Sequence, residues 1–101
     1  MDNKKVETFK KMIAKALEIS KDELFRRTHG MPGESTVEQL EKIIIPELEK
    51  FSKMDYSNLP PADKRYLFSF GYAFRVWEWS MLNPSRLYLL LLILNDKYKE
   101  L

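Results

Sequence analysis

Apolar residues return every three or four positions through the first part of the chain: Val6, Phe9, Ile13, Ala16 and Leu17, with Lys4, Lys11, Lys15 and Glu18 elsewhere. That period is one face of a helix and predicts a first helix over about Asn3 to Ile19. Ser20 to Glu23 has the form of a capping box, in which hydroxyl and carboxylate each satisfy a free amide at a helix start. A short second helix is therefore expected from roughly Lys21 to Thr28, with Leu24 and Phe25 turned inward. Gly30 suits a left-handed helix end, and Met31-Pro32-Gly33 reads as loop. Ser35 to Glu38 repeats the box and opens a helix with Val37, Leu40, Ile44, Leu48 and Phe51 on one stripe. Pro46 lacks a backbone donor and crowds the preceding turn, which predicts a kink or a split near Ile43–Ile45.

Lys53 to Leu59 reads as a connector. Pro60-Pro61-Ala62-Asp63 is a helix entry, since proline is pre-set for a first turn and aspartate suits its positive end. Seven of the next fourteen residues, Tyr66 to Trp79, are aromatic. Their alternation with smaller residues resembles a strand, but no second segment offers a partner strand, so helix is expected. Asn83-Pro84 then starts a last helix, about 84–98, that is apolar nearly all round and so expected at the centre. The pattern as a whole predicts an all-α fold, a compact bundle of four to five helices in a single domain over residues 1–101.

At 100° per residue, the aromatic segment has two faces. Tyr66, Leu67, Phe70, Ala73, Phe74, Trp77 and Met81 form one stripe, the expected core face. Phe68, Tyr72 and Trp79 fall nearly opposite, beside Arg75. Trp, Tyr and Arg are the residue types most often found as interface anchors. Phe68, Tyr72, Arg75 and Trp79 are therefore the candidate contacts for a protein partner, or for a second copy in a homo-oligomer, and the expected role is non-enzymatic. Arg75 is also placed to lie over an aromatic ring.

Composition narrows the options. Apolar residues make up 45% and charged residues 32%, as in ordinary globular chains. There is no cysteine, hence no disulfide framework or thiolate zinc site, which fits a reducing cytoplasm. No apolar run follows the first lysines, so no signal peptide is expected. The longest apolar stretch, Leu87 to Leu94, is eight residues, against about 20 for a membrane span. Glu34, Glu38 and Glu41 stand at helical spacing and read as a solvated face; no metal or cofactor is expected.

The net charge of +2 is too small to imply nucleic acid, but residues 1–30 carry +3 and residues 31–56 carry −3. Lys4, Lys5, Lys11, Lys15, Arg26 and Arg27, with Lys10, give an alternative nucleic-acid surface. The run from Ile13 to Phe25, with its Ala-x-x-Leu-x-Ile-Ser-x-x-x-Leu spacing, resembles the closing helices of Cro/repressor-type helix-turn-helix domains, which implies DNA binding. In that family the recognition helix comes first. Only twelve residues precede the run here, and Glu18 stands where the turn glycine is usual, so no DNA-contacting residue carries over. A third reading is a hydrolase-like site at His29 with Ser35 and Glu34, a grouping that geometry must decide.

Overall fold

The computed structural model describes residues 3–101. All regular structure among them is helical: α1 (Asn3–Thr28), α2 (Val37–Gln39), a π-helical stretch (Leu40–Ile44), α3 (Ile45–Ser52), a 3-10 turn (Ala62–Lys64), α4 (Phe68–Arg75) and α5 (Arg86–Glu100). The all-α expectation holds. No helix among the described residues is long and apolar enough to cross a membrane.

The expected break after Ile19 is absent. α1 is one helix of 26 residues, about 39 Å long at 1.5 Å per residue, and it sets the long dimension of a body measuring 43 × 23 × 20 Å. Ser20 continues the buried stripe of Phe9, Ile13 and Ala16 instead of capping. Because the inward pattern runs straight through this point, packing overrides the local capping signal. The same continuity removes the turn that a helix-turn-helix needs. Gly30, at φ 80°, closes α1 as expected: its own amide donates to Arg27 O at 3.2 Å and the Met31 amide to Arg26 O at 2.9 Å, a Schellman arrangement.

Arg27 fastens the following loop to α1. Its Nε donates to Ser35 O at 2.6 Å, and its guanidinium pairs with the Glu23 carboxylate. Gly33 lies so close that a Cβ there would overlap the guanidinium. The cap of α2 is Thr36, one residue beyond the expected Ser35. Thr36 Oγ1 accepts the Gln39 amide while Gln39 Oε1 accepts the Thr36 amide, each at 3.1 Å. Upstream of Pro46 the helix departs from α geometry into the π stretch, but it is not split. The Ile45 amide donates to Leu40 O, five residues back, and helical dihedrals persist from Gln39 to Ile45. The wider π turn lets the chain pass the proline without a break.

α1 packs on α3, on the π stretch and on α5, and α5 in turn touches α4. Phe9, Phe51, Tyr56 and Tyr98 join three of these elements in one aromatic cluster with centroid separations of 4.9–5.9 Å. The Tyr56 hydroxyl donates to Phe51 O at 2.7 Å. Burial pushes the Tyr56 phenol up to about 12. α5 lies between α1 and α4, yet Leu89 and Ile93 remain exposed on its outer side.

A candidate docking slot on the aromatic helix

The entry Pro60-Pro61-Ala62-Asp63 forms only a 3-10 turn. The chain is then extended at Arg65 and Leu67, and α4 begins at Phe68. Distant residues fix this start. The Leu67 amide donates to Asn95 Oδ1 on α5 at 2.8 Å. The Phe68 and Ser69 amides donate to the two oxygens of Glu47 on α3 at 2.7 and 2.8 Å. Leu67 has no capping side chain, so a carboxylate from another helix satisfies the first free amides and sits at the positive end of the helix dipole.

The other end turns back on itself. The Val76 and Trp77 amides both donate to Tyr72 O, at 2.8 and 2.7 Å, and the Trp79 amide donates to Ala73 O at 3.0 Å. Glu78 takes φ 52°, a left-handed conformation rare for this residue type. The reversal carries Trp79 inward, edge-on to Tyr88 at 5.6 Å. The Ser80 amide is held by Glu34 Oε2 at 2.6 Å. Burial raises the Tyr88 phenol above its ordinary value, and the nearby Glu34 charge raises it further.

This geometry sorts the four sequence-derived contacts. Phe68 (53%) and Tyr72 (40%) are exposed, as is Arg75, whereas Trp79 is only 5% exposed. The assignment of Trp79 to the outer face is corrected. It assumed that 100° spacing continued to Met81, but α4 ends at Arg75 and the reversal moves Trp79 to the core. The expected core stripe changes too. Leu67 and Ala73 are buried, but Phe74 (49%) and Tyr66 (50%) stand out in solvent. Nor does Arg75 make the expected ring contact; among the described residues Lys10 does, over Tyr56 at 5.4 Å.

What results is a slot. Phe70 and Phe74, stacked at 6.0 Å, line one side of α4. Tyr66 and Phe68 meet edge-on at 4.8 Å, and Tyr72 stacks on Trp77 at 5.6 Å. By helical spacing Gly71 falls between the Phe70/Phe74 wall and the Phe68/Tyr72 wall. A Cβ on Gly71 would meet nothing within 4 Å. Tyr66, Leu67, Phe68, Phe70, Gly71, Tyr72 and Phe74, with Arg75, Asn95 and Lys99, line an open groove of about 580 Å³. No carboxylate lines it, and Arg75 and Lys99 have no ion-pair partner among the described residues. A mid-helix glycine costs about 1 kcal/mol relative to alanine. Nothing in the folded chain requires glycine here: φ is not left-handed and no neighbour crowds it.

Sequence reasoning missed Gly71, Phe74, Tyr66 and Lys99 as slot residues, and Glu47 as its anchor. The legible signal was the glycine itself, alone within a run of rings where helix propensity disfavours it.

The other two candidate sites are not brought together in the same way. Along α1, Lys15 pairs with Glu18 at 3.6 Å and Arg26 with Asp22 at 3.0 Å, while Arg27 is bound to Glu23 and the loop. Lys4, Lys5 and Lys11 lie on exposed turns of the same helix. His29 stacks on Phe25 at 4.0 Å, with Nδ1 2.7 Å from Phe25 O. Ser35 faces Arg27 and Glu23, and Glu34 faces Ser80. The three members of the imagined triad thus have separate partners. No protein family, curated protein or solved structure matches the chain.

Proposed function

We propose that this chain is a non-enzymatic interaction protein of the cytoplasm that docks a protein partner on the outer face of α4. The observation that carries the reading is the set of four half-exposed rings, Phe68, Tyr72 and Phe74 on α4 and Tyr66 just before it, on a segment held at both ends by other parts of the fold. Half-exposed aromatic side chains of about 200 Å² each leave about 400 Å² of ring surface in water. That is the size of the largest apolar patch on a typical monomer, a patch that is often functional. Covering it would release about 10 kcal/mol of gross hydrophobic free energy, comparable with the roughly 4–15 kcal/mol that association takes in lost freedom. On α5, Leu89 and Ile93 are also exposed.

The test is affinity purification from a whole-cell extract with the wild type and with a Phe68→Ser/Phe74→Ser variant. The proposal expects a protein retained by the wild type and lost by the variant, with both chains equally folded by circular dichroism. Identical recovery by the two chains would refute it. Sedimentation of the purified wild type across a concentration series decides whether the partner is a second copy.

A further inference from the structure

We infer that the slot receives an acidic peptide segment, which seats one large apolar side chain over Gly71 and places carboxylates against Arg75 and Lys99. This rests on the reading of α4 as a docking face and adds the chemistry of what docks there.

Three observations select this occupant. The first is shape. Gly71 falls by helical spacing between two ring-bearing rows, lines the groove, and has open space where a Cβ would stand. Glycine at a helix surface permits close approach of a bound group to the backbone. The second is rigidity. Phe70 stacks on Phe74, Tyr66 meets Phe68 and Tyr72 stacks on Trp77, so each wall is braced by another ring. A braced slot loses little side-chain freedom on binding. The third is charge. Two cations line the groove, no carboxylate does, and the nearby Glu47 carboxylate is engaged by the Phe68 and Ser69 amides.

The same facts disfavour two other occupants. A second copy placed face to face about a two-fold axis would bring two Arg75 and two Lys99 side chains into one contact lined by no carboxylate. An anionic bilayer would suit the cations, but a flat surface does not fill a concave slot. A protruding side chain on a peptide does.

The experiment is selection of a displayed library of random 16-residue peptides on the full chain, with counter-selection on Gly71→Leu, which fills the slot from a position where no side chain obstructs it. Recovered peptides should be enriched in Asp and Glu beside Leu, Phe or Trp. Their affinity should fall at least tenfold on Gly71→Leu, and the preference for acidic over amidated versions should disappear in Arg75→Gln/Lys99→Gln. Circular dichroism confirms that each variant is folded. Peptides that bind at α4 without acidic enrichment would overturn this inference and leave the docking reading standing. Self-association abolished by Phe68→Ser/Phe74→Ser, with no peptide selected, would do the same. Binding to phosphatidylserine vesicles, again with no peptide selected, would overturn both, as would the absence of any ligand dependent on α4.

Discussion

Replacing Glu47 by alanine should loosen α4 although Glu47 belongs to α3. Its two oxygens accept the Phe68 and Ser69 amides at 2.7 and 2.8 Å, and Leu67 supplies no cap of its own. α4 has eight residues, too few to hold a helix without tertiary support. Losing a side-chain cap costs about 1–2 kcal/mol, and the carboxylate's interaction with the helix dipole adds about 0.3–1 kcal/mol. Glu47→Ala should therefore destabilise the chain by about 2 kcal/mol. Glu47→Gln keeps one acceptor oxygen and should cost about 1 kcal/mol. In urea denaturation followed by circular dichroism, a slope of about 1–2 kcal/mol/M turns the alanine loss into a midpoint lower by about 1–2 M. Amide hydrogen exchange should accelerate first at Phe68 and Ser69. An unchanged midpoint, with unchanged protection at those two amides, would refute the anchoring of α4 by α3.

Trp79→Ala should cost about 3–5 kcal/mol as a buried ring lost from the core, whereas Phe68→Ala should stay within about 0.5 kcal/mol; equal losses in a denaturation series would contradict their placement. Gly71→Ala should raise stability by about 0.5–1 kcal/mol, because the added methyl meets nothing and the residue is helical; a loss in thermal unfolding would show that the site is not open. Tyr56, with its phenol raised to about 12 by burial, favours the folded state while neutral. That contribution is complete below the ordinary tyrosine value near 10 and falls away as pH rises toward about 12, a change of about 2–3 kcal/mol at most. Chemical denaturation at pH 8 to 11.5 should show the decline, and Tyr56→Phe should make it shallower, the remainder coming from the buried Tyr88 and Tyr98 phenols, which are also raised.

The sequence announced its inward stripes well, because burial repeats along a helix at a fixed interval. Phe9, Ile13 and Ala16 are buried on α1, and Leu40, Ile44, Leu48 and Phe51 beyond it. Its short signals were less secure. A serine three residues before a glutamate caps a helix only where the chain actually starts one, and Ser20 lies inside α1. The cap at Thr36 stood one residue from the expected site because Thr36-Gln39 satisfies the same geometry. For the functional face, the outward position of Phe68, Tyr72 and Arg75 was legible from angular spacing alone. The exposure of Phe74 and the burial of Trp79 were not, since both depend on where α4 stops. That end is set by the Glu78 reversal and by contacts with Tyr88 and Glu34, residues distant in the chain.

The most direct measurement is hydroxyl-radical footprinting of the aromatic residues, with the protein alone and with the partner recovered by affinity purification. Phe68, Tyr72 and Phe74 should react readily in the isolated chain and become protected in the complex, while Trp79 stays unreactive in both. Rings that are equally reactive with and without the partner, or already protected in the isolated chain, would contradict a docking role for α4.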